Sequence, residues 1–238
     1  MYFDHATVPS KGYFYGLYVN LMFGLFVPGY MLSGSGINQV LGVQGNWGEH
    51  DERNHVILQS AAILGMMIGA VTSKAILDYG RRRAILICNA VLVVMTIPNF
   101  FTNLWWFLAI CRFFCSVAAS VTINASSIYI AEAVPNEFQT FMGTVVNTGI
   151  VAGIFLMELS NLFLPYWEED DAVPAEAYDT WWWRFSFSMQ LISVLITTIG
   201  WLLFFKHEPM KFLISKAESA GEGSEAHSEA LQAFALNH

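Results

Sequence analysis

Six apolar stretches set the strongest limit on what this chain can fold into. Each is roughly the 20 residues that a helix needs to cross a bilayer, and they cover residues 13–32, 56–77, 84–101, 104–131, 141–164 and 182–205. A helix satisfies its own backbone polar groups, as hydrocarbon requires, and the alternating pattern of barrel strands is not seen. The sequence therefore predicts an all-α membrane protein with six transmembrane helices, an N-terminal tail at residues 1–12 and a polar C-terminal tail at residues 206–238.

The composition agrees with burial in a membrane. Hydrophobic residues make up 55% of the chain and charged residues 13%, whereas soluble domains average about 25% charged residues. Tryptophans such as Trp105, Trp106 and Trp201 lie near the ends of the apolar stretches, as in the aromatic belts of membrane proteins. The protein is thus expected to be multi-pass and integral to a lipid bilayer.

The cysteine pattern argues against a metal or cofactor site. Cys88, Cys111 and Cys115 all fall within apolar stretches, so no disulfide framework is expected. Cys111 and Cys115 share one helix face, but two thiols without a nearby histidine are more often packing residues than metal ligands. We expect no metal and no cofactor. The chain has neither the motifs of an enzyme nor a basic patch, so we expect no enzyme activity and no nucleic-acid partner.

The basic residues indicate how the helices are oriented. With six spans both termini lie on one side, which carries Lys11, Arg81, Arg82, Arg83, Lys206, Lys211 and Lys216. The opposite side has Arg53, Arg184 at the start of the last stretch, and acidic clusters at residues 49–52 and 168–179. By the positive-inside rule both termini face the cytosol or its equivalent. The rule does not distinguish the plasma membrane from an organelle membrane, such as the mitochondrial inner membrane.

A few polar residues interrupt the apolar stretches. Asn124, Asn147 and Gln190 are candidates for a lumen face that binds a polar solute, or for interhelical hydrogen bonds, which are the commoner use. Glu158 is a candidate for proton coupling because an intramembrane carboxylate is costly; the alternative is that it snorkels or pairs at the acidic side. Arg112 is equally costly in hydrocarbon, so a partner or a functional role is expected for it.

Three motifs follow one another along the chain. The first comprises Gly65 and Gly69, followed by Gly80-Arg81-Arg82-Arg83 at the turn after the second stretch. The second comprises Arg112, Tyr129, Glu132, Pro135 and Gly143, in the pattern R-F…Y-x-x-E-x-x-P…G. The third comprises Trp183-Arg184-Phe185, then Glu208 and Lys211-Phe212-Leu213. In order and spacing these motifs resemble the N-terminal six-helix half of the sugar porters of the major facilitator superfamily.

The resemblance implies roles for particular residues. In the family, the turn between the second and third helices forms a charge network that gates the cytosolic side. The residues of this chain that match or adjoin that network are Asp78, Gly80, Arg81, Arg82, Arg112 and Glu132. The family residue that matches Asn147 is typically a glutamine that hydrogen-bonds the sugar, and asparagine keeps the amide but is one methylene shorter.

The chain also departs from the family pattern. Leu77 stands where the family's turn has an aspartate, and Asp78 where it has a basic residue, so the gating turn is expected to be weakened. Gln139 replaces the arginine that follows the proline motif, so Glu132 is expected to have lost that partner. Arg112, at the other end of the same predicted helix, remains a candidate partner.

The function follows from the resemblance and these departures. A sugar porter holds its substrate between two six-helix halves, one of which rocks on the other. This chain resembles one half, which implies other membrane subunits on the face that a second half would cover. We expect a non-transporting structural or accessory subunit of a larger membrane complex. The alternative is the functional half of a transporter for a sugar or small polar solute, completed by a second copy or a second six-helix chain. A membrane sensor is a third, less favoured interpretation.

Overall fold

The computed structural model describes residues 11–33, 51–101, 104–163 and 182–205, together with Pro209. These residues form α1 Lys11–Leu32, α2 Asp51–Leu77, α3 Arg81–Phe101, α4 Trp105–Ala133, α5 Asn136–Asn161 and α6 Trp182–Leu203. Within these ranges there is no β-strand, and the all-α prediction is confirmed. The tail at residues 1–10, the acidic cluster at 168–179 and the C-terminal tail apart from Pro209 lie outside the described residues, as do the side chains of Trp183 and Arg184.

Most of the helices are suited to a membrane. Four are long and apolar enough to cross one by length and composition, over Gly12–Leu32, Val56–Leu77, Trp105–Ala133 and Asn136–Ser160. α6 contains a shorter apolar segment, Ser188–Leu203, and α3 opens with three arginines. α2 begins at Asp51 rather than at residue 56, and α5 begins at Asn136 rather than at residue 141. A helix can continue past the hydrocarbon into the polar interface, so hydropathy alone places its first turn too late.

α1 and α4 lie at the centre of the bundle, and α2 and α5 lie at its flanks. α1 packs against α4, α5 and α6, whereas α4 packs against α1, α2 and α3. In consequence, 61% of the membrane-spanning segment is buried in α1 and in α4, against 28% in α2 and in α5. The outward sides of α2 and α5 are therefore available to lipid, water or another protein.

The two glycines of α2 allow a close approach to α4. A Cβ added to Gly65 would collide with the backbone carbonyl oxygen of Phe113, and one added to Gly69 would collide with that of Val117. These glycines lie four residues apart, so both face α4 across one turn of helix. The prediction that this pair permits close helix packing is confirmed, as is usual for small residues in membrane bundles.

The core at one end of the bundle is aromatic. Trp201 of α6 is fully buried and meets Tyr129 of α4 edge to face, with ring centroids 5.0 Å apart. Phe205 contacts Trp201 and also Tyr13 of α1, with centroids 5.8 and 5.3 Å apart. The prediction that Trp201 belongs to an aromatic belt is wrong, because its side chain fills the space between α4 and α6. This end also carries Arg81 and is here called the arginine end.

Candidate functional site

A tight turn joins α2 to α3 at the arginine end. α2 ends at Leu77, and the N–H group of Gly80 donates to the carbonyl oxygen of Leu77 at 3.0 Å. Gly80 has a φ of 131°, a backbone conformation that glycine adopts without strain. Since α3 then begins at once, the turn brings Arg81 and Arg82 against the ends of α4 and α6.

Arg81 forms an ion pair with Glu132 across this end. Its Nε donates to Oε2 of Glu132 at 3.1 Å, and its Nη2 donates to Oε1 at 2.9 Å, which is the two-pronged geometry of strong arginine–carboxylate pairs. The pair joins the start of α3 to the last turn of α4. Glu132 therefore has a partner although Gln139 stands where the family has an arginine, because the turn at Gly80 supplies Arg81. Arg112 is not that partner, since it lies about 30 Å away along α4.

Arg82 holds the end of α6. Its Nε donates to the carbonyl oxygen of Phe205 at 2.8 Å, and its Nη2 donates to that of Trp201 at 2.9 Å. The last carbonyl groups of a helix have no partner within the helix, and a cation is favourable at that terminus. Arg82 thus provides hydrogen-bond donors to carbonyl oxygens at the end of α6, which would have no partner in hydrocarbon.

The side chains of Leu77 and Asp78 take no part in these bonds, although the carbonyl oxygen of Leu77 accepts one from Nη1 of Arg81 at 2.8 Å. Leu77 is 4% exposed and packs in the core with Ala84 and Ile85. Asp78 is exposed and forms no ion pair with any side chain in the described part of the chain. Of the predicted gating residues, the structure brings together Gly80, Arg81, Arg82 and Glu132, whereas Asp78 lies beside them and Arg112 lies elsewhere.

Polar side chains recur along the side of α5 that faces away from α1. α5 packs on α1 through Gly149 and Gly153, whose added Cβ atoms would collide with Leu25 and Phe26. The exposed polar residues at helical spacing on another side are Thr140, Thr144, Asn147, Thr148 and Glu158. These five residues are here called the α5 polar face. Val151 and Phe155, both 63% exposed, lie among them, so the face is polar from Thr140 to Thr148 and again at Glu158, and apolar between these two parts.

The other two solute-binding candidates lie between helices. Nδ2 of Asn124 in α4 donates to Oγ of Ser73 in α2 at 3.0 Å. Nε2 of the buried Gln190 in α6 donates to Oγ1 of Thr96 in α3 at 2.9 Å. Both amides therefore form interhelical hydrogen bonds, the alternative that the sequence left open. Of the three candidates, only Asn147 lies on the α5 polar face.

Charged groups from two helices line one cavity at the end opposite the arginine end. The cavity is about 330 Å³, and its polar lining comes from Ser33, which follows α1, Gln59 of α2, Arg112 of α4 and Glu158 of α5. Arg112 is buried, and its Nη2 donates to the backbone carbonyl oxygen of Met31 at 3.1 Å. Oγ of Ser33 donates to the carboxylate of Glu158. Three helices and the residue after α1 thus bring a few polar groups to a cavity whose other walls are apolar, as in many small-molecule sites.

It was not predicted from the sequence that Arg112 and Glu158 line the same cavity. A signal was present, because α4 and α5 are consecutive helices joined by a short turn at Pro135. Arg112 is near the start of α4 and Glu158 near the end of α5, so an antiparallel pair places both at the same end.

No metal centre is found in the part of the chain that the structure describes, where no three His, Cys, Asp or Glu side chains are grouped. Cys88, Cys111 and Cys115 are buried free thiols. Thr96 and Cys115 are 3.9 Å apart at their side-chain oxygen and sulfur, which places this thiol in the packing between α3 and α4. The cysteines are therefore packing residues in this fold.

Comparison with known proteins places this architecture in a family. The family profile described as "Sugar (and other) transporter" matches residues 20–232. The facilitated glucose transporter member 10 of Xenopus tropicalis is 27% identical over 155 residues, covering 65% of this chain and 26% of that protein. The glucose transport protein of Synechocystis sp. is 27% identical over 173 residues, covering 70% and 35%. Hexose transporter 1 of Toxoplasma gondii is 23% identical over 166 residues, covering 69% and 29%.

The chain spans about a quarter to a third of the length of these relatives and about half the length of solved structures with the same fold. The proton:xylose symporter XylE bound to 6-bromo-6-deoxy-D-glucose superposes with a TM-score of 0.73 at 18% identity, covering 94% of this chain and 50% of that one. XylE of E. coli in its inward open conformation gives a TM-score of 0.67 at 15% identity, covering 94% and 56%. The predicted fold, half of a major facilitator fold, is confirmed, and the relatives are transporters rather than enzymes. The chain is an integral membrane protein that belongs to the sugar (and other) transporter family.

Proposed function

We propose that this chain forms one six-helix half of a transporter for a sugar or a similar small polar solute. The observation that carries this function is the α5 polar face. α5 is apolar enough to cross a membrane, yet hydroxyl and amide groups are exposed between Thr140 and Thr148, and a carboxylate is exposed at Glu158. Such groups are costly in hydrocarbon, whereas a water-filled path between two halves would solvate them.

Asn147 is the proposed sugar-binding residue on this face. Its carboxamide offers donors and an acceptor, which match the hydroxyl groups of a sugar. The family resemblance gives this position an amide that bonds the sugar, and the relatives are named as glucose and hexose transporters. We do not assign Asn124 or Gln190 to the solute, because their amides already bond Ser73 and Thr96.

The network at the arginine end is proposed to keep this half rigid as it moves. Alternating access is largely the rocking of one unit against another around a fixed site. The bonds from Arg81 to Glu132, and from Arg82 to the carbonyls of α6, tie together the ends of α3, α4 and α6. By the positive-inside rule, we place this end on the cytosolic or equivalent side of the membrane.

Glu158 is the proposed proton-accepting group. It lines the cavity with Arg112, and Ser33 donates a hydrogen bond to its carboxylate. A protonated carboxyl group carries no charge and has an O–H donor in place of one acceptor, so proton binding would change the charge and the hydrogen bonds of the cavity that Arg112 also lines. A neighbouring structure is described as a proton:xylose symporter, which supports testing this coupling.

A second six-helix unit is proposed to complete the path. It would cover the α5 polar face and the exposed side of α2, where Ile63, Met67 and Val71 are exposed. That unit is a second copy of this chain, another membrane subunit, or a further part of the same protein. The α5 polar face then lines the space between the units, as substrate sites do in transporters built from repeats.

The second candidate function is a non-transporting accessory subunit of a membrane complex. Leu77 favours it, because a buried leucine occupies the position at which the resembled turn carries an aspartate. With Leu77 in place of the aspartate, the turn still packs in the core but lacks one of the negative charges that the gating network of the family uses. In that case the α5 polar face would contact another subunit instead of water.

Uptake of radiolabelled hexoses and pentoses into proteoliposomes tests the transport function. The protein is extracted from its own membrane in mild detergent, so that a partner is retained. Asn147→Ala is expected to lower kcat/KM about tenfold, because one hydrogen bond to the sugar contributes up to about 1.5 kcal/mol. Leu195→Ala, at an exposed position of α6 outside the α5 polar face, is the control and should transport normally.

Two results separate the candidates. Uptake that depends on Asn147 supports the transporter. Lack of uptake, together with migration at fixed stoichiometry in a large complex, would reject the transporter and support the accessory subunit.

A further inference from the structure

Apolar side chains interrupt the α5 polar face at two exposed positions. Val151 and Phe155 follow Thr148 along the side of α5 that carries the face, and both are 63% exposed. Glu158 comes next, about 10 Å beyond Val151 along the helix axis. From the arginine end toward the opposite end, this side of α5 therefore changes from neutral polar groups to apolar groups and then to a carboxylate.

The side of α2 that faces the cavity carries apolar residues at the same level. Gln59 and Ile63 line the cavity together with Glu158, so these residues lie at one level of the bundle. Met67 follows Ile63 by one turn on the same side of α2, nearer to the arginine end, and both are exposed. Their side chains thus lie at the level of the apolar part of α5. The exposed apolar residues of the two helices at this level are here called the apolar collar: Ile63, Met67, Val151 and Phe155.

Depth in the membrane does not account for the collar. The spanning segment Asn136–Ser160 has Thr148 at its middle, so Asn147 lies deeper in the bilayer than Val151 or Phe155. A helix that faced lipid along this side would have apolar residues at its middle and polar residues near its ends, where they reach the interface. The order along α5 is the reverse. Its composition fits a path that is wet at the middle of the membrane and dry nearer to the cavity.

A constriction lined by apolar side chains excludes water. Water has no polar partner in such a space, so apolar cavities remain dry and hydrophobic constrictions gate pores by dewetting. On each helix the collar extends about 6 Å, which is the rise of four helical residues. A dry layer of this thickness separates the cavity lined by Arg112 and Glu158 from the amide of Asn147.

We propose that the apolar collar is a hydrophobic gate in the solute path. The inference rests on the proposed transport function, in which a second six-helix unit forms the opposite wall. With no solute bound, the collar keeps the water at Glu158 apart from the water at Asn147, so protons do not cross the path. A passing solute parts the collar at Met67, whose unbranched side chain adapts readily to a new neighbour.

Thiol labelling along the two helices tests the gate. Single cysteine variants are extracted in mild detergent, reconstituted in proteoliposomes and treated with a charged methanethiosulfonate that is present on both sides of the membrane. Gln59→Cys and Asn147→Cys, on the two sides of the collar, should react at least tenfold faster than Val151→Cys, because cysteine is itself a small apolar residue and keeps the collar dry. The native cysteines are buried and give a low background. Depth alone predicts the opposite order on α5, with Asn147→Cys slower than Val151→Cys.

Two matched serine substitutions test whether the collar excludes water because it is apolar. Val151→Ser should wet the collar and raise the labelling rate of Met67→Cys at least fivefold. Val94→Ser, at a position of α3 that is 61% exposed and lies outside the collar, is the control and should leave that rate unchanged. The buried native cysteines should stay unreactive in both variants, which verifies that each is folded.

The outcomes separate failure of the gate from failure of the transport function. Fast and equal labelling of Val151→Cys and Asn147→Cys would overturn the gate and leave the solute path standing. An equal effect of the two serine substitutions on Met67→Cys would also overturn the gate alone. If Asn147→Cys is as slow as Val151→Cys, the path itself is absent, and both the gate and the transport function are wrong.

Discussion

Removal of the charge of Glu132 should loosen the arginine end of the bundle. Its carboxylate accepts hydrogen bonds from Nε and Nη2 of Arg81 at 3.1 and 2.9 Å. Glu132→Gln keeps the size of the side chain but removes the negative charge and one of the two acceptor oxygens. Arg81 then keeps its bond from Nη1 to the carbonyl oxygen of Leu77, 2.8 Å long, without the partner on α4.

The expected loss in the free energy of unfolding follows from how far the Arg81–Glu132 pair is buried. The side chains of Arg81 and Glu132 are 17% and 19% exposed. Exposed ion pairs contribute about 0–1 kcal/mol, whereas loss of one partner of a buried pair costs about 3–5 kcal/mol. We therefore expect Glu132→Gln to lower the free energy of unfolding by about 2 kcal/mol. For a chain of this size, that corresponds to a fall in Tm of about 4–8 °C.

A double-mutant cycle with Arg81→Met isolates the interaction. Thermal unfolding of the four proteins in detergent, followed by circular dichroism, should give a coupling energy of about 1–2 kcal/mol. Lys74→Gln, at an exposed position in the last turn of α2, is the control and should change stability by less than about 0.5 kcal/mol. If the effects of the two substitutions simply add, the ion pair does not hold α3 to α4 and the reasoning is refuted.

Three other outcomes are expected. Gly69→Leu should destabilise the protein by more than about 2 kcal/mol in detergent unfolding, because its side chain meets the backbone of Val117, whereas Gly143→Leu should be nearly neutral. Arg82→Met should speed amide hydrogen exchange in the last turn of α6 but not in α5, and uniform exchange would contradict its capping role. Glu158→Gln should make uptake independent of a pH gradient; an unchanged pH dependence would exclude Glu158 as the coupling group.

The helices could be predicted from the sequence because a transmembrane helix depends on a local property, the hydropathy of its own residues. A bilayer demands about 20 apolar residues, and the chain meets that demand repeatedly, so the position of each helix follows from hydropathy. The start of α2 could not be predicted in this way, because the helix begins at Asp51, five residues before its apolar span begins at Val56. The close packing of Gly65 and Gly69 was predictable for the same local reason, since four-residue spacing fixes a helix face.

The partners of the charged residues depended on packing between distant segments. Arg81 and Glu132 are 51 positions apart, and only the turn at Gly80 brings them together. The family pattern placed Arg81 and Glu132 in one charge network, but the sequence did not show which of its residues form a pair. The prediction that Trp201 lies in an aromatic belt was wrong for a similar reason. Its position near a helix end does not reveal that its side chain packs against Tyr129 of α4.

The roles of the polar residues within the spans could not be predicted for a different reason. An asparagine in an apolar helix is compatible with a lumen or with a neighbouring helix, and the sequence leaves both uses open. Ser73 decides the use of Asn124, since it lies within hydrogen-bond distance on α2. Asn147 has no such neighbour recorded among the described residues, and its exposure assigns it to the α5 polar face.

The accessibility of Asn147 to water tests the central claim most directly. Asn147→Cys is compared with Leu195→Cys, which lies at an exposed position of α6, for reaction with a membrane-impermeant thiol reagent in proteoliposomes. The native cysteines are buried and provide a low background. If the α5 polar face lines a solvated path, Asn147→Cys reacts at least tenfold faster than Leu195→Cys, and the transported sugar slows its reaction. Equal, slow labelling at both positions would mean that the α5 polar face meets lipid or protein, and the transporter function would be contradicted.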